Sequence, residues 1–134
     1  MIEAIKFALR YDPSPNPRVG AVLVDKNNKI KKITAHTEKD KDHAEYNLVK
    51  NSDITENDTL YVTLEPCFHD DTSPSCANAV LETNVQNIVV GDIDRDERTN
   101  GKGIELLKNN DLNVSIENGV NDFLNPGYKI KNDK

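Results

Sequence analysis

The sequence contains no tryptophan, and its aromatic residues, four Tyr and three Phe, make up 5% of its 134 positions. So few rings leave little to stack on flipped or single-stranded bases. Basic charge is also scarce. Lys and Arg number 17 against 23 Asp and Glu, giving a formal net charge of -6 and a pI near 5.0. A broad phosphate-neutralising face is therefore absent, and a nucleic-acid partner is disfavoured. No apolar run approaches the roughly 20 residues that span a bilayer. The N-terminal Met1-Ile2-Glu3-Ala4-Ile5-Lys6 lacks the basic stretch and long apolar run of an export signal. The expectation is a cytoplasmic protein with no membrane partner. Only two cysteines occur, Cys67 and Cys76, too few for a disulfide framework. Their closeness suggests metal ligands or redox chemistry, with buried small side chains or an incidental disulfide as the plainer readings.

What is present fits one domain covering residues 1–134, with 36% hydrophobic and 30% charged residues. A chain of this length buries roughly two-thirds of its unfolded surface, so a core forms despite a mean hydropathy of -0.68. Ile2, Ile5, Ala8 and Leu9 recur at helical spacing and predict an opening helix that stops before Pro13, Pro15 and Pro17. Residues 12–18 read as a loop. The apolar run Val19 to Val24 predicts a buried strand, and the polar turn Lys26 to Lys29 leads to a second strand near 30–36, forming a hairpin. A helix starts near His43 and runs to Asn51. Thr59 to Leu64 is a third strand, halted by Glu65-Pro66. Residues 67–76 read as loop, and a helix follows from about Pro74. Ile88 to Val90 is a fourth strand, Ile104 to Lys108 a helix, and Leu112 to Glu117 a fifth strand. The tail after Pro126 is expected to be loosely held. This alternation implies an α/β architecture, a mixed sheet between helices.

Three pieces carry chemistry: His43-Ala44-Glu45 at a helix start, Pro66-Cys67 just after a strand, and Cys76 at the next helix start. A catalytic zinc site takes three protein ligands and leaves one position open, and imidazole with thiolates selects zinc over calcium or magnesium. His43, Cys67 and Cys76 fill that requirement. The positive end of a helix dipole favours a thiolate at its N-terminus. Glu45 lies two residues after His43, so the two side chains diverge on a helix and Glu45 is no natural fourth ligand. It suits a proton shuttle instead. Zinc lowers the pKa of bound water from about 15.7 to roughly 7, so hydroxide is available at neutral pH. This is the chemistry of hydrolytic deamination of an amino-substituted ring.

On these residues the sequence resembles the zinc-dependent cytidine deaminase superfamily, and more closely its riboflavin-biosynthesis branch, the diaminohydroxyphosphoribosylaminopyrimidine deaminase domain. Most members space their cysteines as Pro-Cys-x-x-Cys, whereas eight residues separate Cys67 from Cys76, the riboflavin-type spacing. Supporting stretches are Pro15-Asn16-Pro17-Arg18-Val19-Gly20-Ala21-Val22, Thr63-Leu64-Glu65-Pro66-Cys67 with His69, and Gly101-Lys102-Gly103. The resemblance implies a three-layer cytidine deaminase-like fold with a five-stranded mixed sheet. It also implies zinc on His43, Cys67 and Cys76, and Glu45 as the catalytic proton shuttle. It points to Asn16 and His69 as contacts to the substrate ring or sugar, although by themselves these read as turn and loop residues. A homo-oligomer is likewise implied.

Departures from the family pattern bear on the substrate. Where the family's cysteine loop carries a cation able to hold a phosphate, this sequence has Thr72 beside Asp70 and Asp71. Two carboxylates repel a phosphate. The family's Asp-Pro-Asn-Pro loop becomes Asp94-Arg95-Asp96-Glu97, bringing Arg95 and Arg98 nearby. These read either as a replacement phosphate clamp or as solvated loop charges. Lys102 reads as a further cation or as a surface turn. Thr72, Asp94, Arg95 and Lys102 thus complete the candidate substrate contacts. Family members often carry a reductase after the deaminase; here no reductase domain is expected, and a separate reductase is the implied pathway partner. The small-molecule substrate expected first is the diaminopyrimidine ribosyl phosphate. An unphosphorylated base or nucleoside is the alternative. An RNA- or DNA-editing deaminase is disfavoured by charge and ring content, and a non-catalytic zinc-binding module by Glu45, which a closed structural site does not need.

Overall fold

A computed structural model describes residues 1–11, 18–36, 48, 53–67, 76–94 and 99–125. The opening helix is α1, Ile2–Ala8. Its buried positions are Ala4 and Ala8, whereas Ile2 and Leu9 stay exposed. The buried face is thus the small one, contrary to a reading by hydrophobicity. The reason is close approach: a Cβ on Gly20 would lie 2.1 Å from the Ala4 carbonyl oxygen. A large side chain at either contact would push the helix off the sheet.

Strand β1, Gly20–Val24, is buried throughout, and β2, Ile30–Ala35, pairs with it antiparallel as the predicted hairpin. The turn is held by Asp25 Oδ1, which accepts the Asn27 and Lys29 amides, and Asn28 takes a left-handed conformation that Asn tolerates. The pairing shifts register between Leu23 and Val24, which face Lys32 and Ile30, so Lys31 is an inserted residue. Its ammonium reaches Asp58 Oδ2 and the Asp53 carbonyl, each at 2.7 Å.

Strand β3, Thr59–Val62, pairs antiparallel with β1, and β4, Asn87–Val90, and β5, Asn113–Ile116, continue the sheet in parallel. The order β2-β1-β3-β4-β5 is the expected five-stranded mixed sheet. Strand β3 is shorter than predicted, because the chain bends at Thr63 and Leu64. Helix α2, Cys76–Leu81, follows β3, and α3, Lys102–Asn109, lies between β4 and β5.

Alternation along the strands sorts the core. Ala21, Leu23, Leu60, Val62, Ile88 and Val90 meet Val80 of α2 and Ile104 and Leu107 of α3 in one cluster, which also takes in Leu48. Val22 and Val24 meet Ala4 of α1 in a second cluster. The sheet therefore lies between helices, in the three layers expected. Leu48 is helical and buried, in line with the predicted helix from 43 to 51, the rest of which falls outside the described residues.

A last helix, α4, Val120–Leu124, was not legible in the sequence. It buries Leu124 and leaves Phe123 exposed, and five residues are too few to show a period. The residue after it, Asn125, accepts the Arg18 amide at 2.7 Å and donates to the Arg18 carbonyl at 3.0 Å. That pair ties the end of α4 to the residue two before β1. The predicted loose tail after Pro126 lies outside the described residues. Among the described residues, no helix is long and apolar enough to cross a membrane.

Candidate active site

The strand register sets the end of the sheet at which the site is built. Gly20 pairs with Ala35, Ala21 with Val62, Val62 with Val90, and Val90 with Ile116. Beyond this row lie Arg18 and Val19 before β1, His36 after β2, residues 63–67 after β3 and residues 91–94 after β4. These are the carboxyl ends of the parallel strands, where open α/β sheets bind ligands. A pocket lined by Asp25, Lys31, Thr55 and Asp58 sits at the opposite end of β1 and β3.

Cys67 and Cys76 are brought together as predicted. Both are buried and are not joined in a disulfide. The Cys76 backbone amide donates to Cys67 Sγ at 3.1 Å, and the Ala77 amide donates to the Cys67 carbonyl at 3.0 Å. The first turn of α2 thus grips Cys67 through both its sulfur and its backbone. Among the described residues no group of three or more His, Cys, Asp or Glu could hold a metal ion. The third predicted ligand, His43, lies outside them, as do Glu45, Asn16, His69, Thr72, Arg95 and Arg98.

The other two predicted contacts are placed. Asp94 follows β4, and its backbone amide donates to Glu65 Oε1. Lys102, one reading of which was a surface turn, is the exposed first residue of α3. The Gly101-Lys102-Gly103 stretch earns its second glycine sterically. A Cβ at Gly103 would lie 2.2 Å from the Pro66 carbonyl oxygen, so α3 begins in direct contact with the residue before Cys67.

Among the buried polar residues at this end, His36 and Glu65 carry no individual role in the sequence reading. His36 is 3% exposed, and its amide donates to the Val19 carbonyl. A histidine at a strand end carries no spacing signal of its own. Glu65 is 2% exposed and accepts three backbone amides, from Asp94, Gly101 and Ile104. In the sequence it figures as a strand terminator and as one member of the Thr63–Cys67 stretch behind the family resemblance, with no role of its own.

A mixed sheet with two buried thiols, one beyond β3 and the other opening the helix that follows, is the arrangement expected of an α/β zinc-dependent deaminase. The family model for the cytidine and deoxycytidylate deaminase zinc-binding region matches residues 1–92. The chain belongs to this family, and it is an enzyme, a hydrolytic deaminase. Among its relatives, a protein of Buchnera aphidicola subsp. Schizaphis graminum named diaminohydroxyphosphoribosylamino-pyrimidine deaminase is 33% identical over 119 residues, 87% of this chain and 80% of the relative. The riboflavin biosynthesis protein RibD of Aquifex aeolicus is 39% identical over 103 residues, 76% of this chain but 29% of that protein. The solved structure of Acinetobacter baumannii RibD superposes with a TM-score of 0.82 at 34% identity, covering 95% of this chain and 36% of that one. The chain therefore spans about a third of the RibD proteins it matches and most of the Buchnera deaminase. Its fold is the cytidine deaminase-like fold that the sequence led us to expect.

Proposed function

We propose that the chain deaminates diaminohydroxyphosphoribosylaminopyrimidine, holding a zinc ion with His43, Cys67 and Cys76 and moving protons with Glu45. One observation carries the reading: two buried thiols beyond β3, out of any disulfide, with the Cys76 amide aimed at Cys67 Sγ. Buried sulfurs presented in this way, with a histidine to complete the set, suit zinc and no hard cation. When bound, zinc supplies the Lewis acidity that makes water a nucleophile near neutral pH.

The chain's own residues do the rest. Cys67 is fixed by the first turn of α2, so its sulfur is set before the substrate arrives. Glu45 takes a proton from the attacking water and gives it to the ring nitrogen, then carries the second proton from the hydroxyl now on the ring carbon to the amine as its C–N bond breaks, so that water and the amine become an oxo group and ammonia. Asn16 and His69 hold the ring or sugar. Lys102, exposed at the start of α3, is a cation for the phosphate, together with Arg95. A reductase activity of the kind named for the Thermotoga maritima deaminase/reductase is the reaction that consumes the product.

The cysteine loop favours a second reading, in which the substrate is an unphosphorylated base or nucleoside. Asp70, Asp71 and Thr72 stand where the resemblance leads us to expect a cation. Ammonia release by the zinc-loaded protein, measured with the phosphorylated and dephosphorylated pyrimidines side by side, separates the two. Turnover of the phosphorylated compound alone supports the first reading, turnover of the dephosphorylated compound alone the second, and turnover of neither removes both substrates.

A further inference from the structure

Glu65 occupies a position that the deamination chemistry leaves unexplained. Its backbone amide donates to the Asp92 carbonyl at 2.8 Å, extending the β3–β4 pairing past the ends of both strands. Its side chain turns the other way. Oε1 accepts the Asp94 amide at 3.1 Å and the Gly101 amide at 2.8 Å, and Oε2 accepts the Ile104 amide at 3.0 Å. With Gly101 as the N-cap of α3, Ile104 is its third helical residue, and its amide is one that an N-cap side chain ordinarily takes. Gly101 has no side chain to offer. Glu65 supplies the acceptor from a different part of the chain, and its charge faces the positive end of the helix.

The consequence reaches the thiols. Pro66, with its restricted backbone, is the sole residue between Glu65 and Cys67, and its carbonyl abuts Gly103. Segment 65–67 is thus clamped between the start of α3 on one side and the start of α2 on the other. We propose that Glu65 is a positioning residue for Cys67: its carboxylate locks the turn after β4 and the first turn of α3 onto the segment that presents the Cys67 sulfur. This inference rests on the zinc reading of Cys67 and goes beyond it, because Glu65 touches neither sulfur.

The test uses zinc alone. Glu65→Gln keeps one acceptor oxygen but turns an NH2 group toward backbone donors. Competition with a chromophoric chelator should show zinc bound about tenfold more weakly than by the unmodified chain, within the range for outer-shell supports of metal ligands. Wild-type affinity in a folded Glu65→Gln variant overturns the proposal and leaves Glu65 as a helix cap only. A measurement on the unmodified chain covers the case in which the variant does not fold. Coupling is reciprocal, so zinc should slow amide hydrogen exchange at Asp94, Gly101 and Ile104 relative to chelated protein. Exchange at these amides that ignores zinc also overturns it. Neither readout involves a pyrimidine. A chain that shows both effects yet fails to release ammonia keeps this inference and loses the substrate assignment, whereas a chain that binds no zinc loses the zinc reading itself.

Discussion

Single residues divide into those whose chemistry can be carried by few side-chain types and those whose work is geometric. Thiol, imidazole and carboxylate at chain positions that end strands and begin helices belong to the first kind. Cys67 and Cys76 were therefore legible in the sequence, and the structure brings them together. Glu65 belongs to the second kind. Its acceptors serve amides 29, 36 and 39 residues away, and no local pattern encodes a cap supplied across the fold. The division gives a contrast to measure. Glu45→Ala should retain zinc and lose at least about a hundredfold in turnover, the lower range for general acid–base catalysis. Cys76→Ala should instead lose zinc, because a ligand is removed and not a proton carrier. Zinc content by elemental analysis beside ammonia release distinguishes them, and a Cys76→Ala protein with full zinc would take that residue out of the ligand set.

At the level of elements, strands were easier to read than helices. The sheet's inner strands carry apolar runs bounded by turns, and β1 to β5 fall within a few residues of where the pattern put them. Helix α1 was located correctly and Ala8 of the predicted stripe is buried, but the need for close approach to Gly20 brings Ala4 to the buried face and leaves Ile2 and Leu9 exposed. The bulge in β2 was not legible at all, because it depends on the partner strand's register. It delivers Lys31 to Asp58, whose side chain is 3% exposed. Burial pushes the Asp58 carboxyl up, but the Lys31 hydrogen bond and charge and the Thr55 amide outweigh it and hold the group below the usual carboxylate value. A carboxyl depressed in the folded chain stabilises it above the unfolded value, about pH 4. That stabilisation is lost as pH falls through the folded value. Asp58→Asn should therefore destabilise the protein at pH 7, by about 1–3 kcal/mol for a buried charged hydrogen bond. The gap to the unmodified chain should narrow on acidification below pH 4. Urea melts at pH 7 and pH 3 check this, and an equal gap at both would show that the Lys31–Asp58 pair contributes nothing through charge.

Across the whole molecule, the sheet hands the described candidate residues, Cys67, Cys76, Asp94 and Lys102, to one end, while the core lies between strands and helices away from it. The chain's ends take part in the same construction: α1 packs on β1, and Asn125 grips Arg18 just before β1. Segments distant in sequence thus converge at the end of the sheet where Cys67 and Cys76 meet, and the proposed zinc ligands come from separate parts of the chain. His43, Cys67 and Cys76 should then bind zinc strongly only when the whole domain is folded, so zinc should act as a stabiliser of the fold. At free zinc about a thousandfold above its dissociation constant the gain is about 4 kcal/mol. For a domain of this size that corresponds to a rise in melting temperature on the order of 10 °C. Thermal melts with zinc and with a chelator in excess measure it directly. The gain should shrink in acid, as protons compete for the thiolates and the imidazole. Coincident melts with and without chelator would mean that folding does not assemble the three ligands, and the zinc assignment would fall with them.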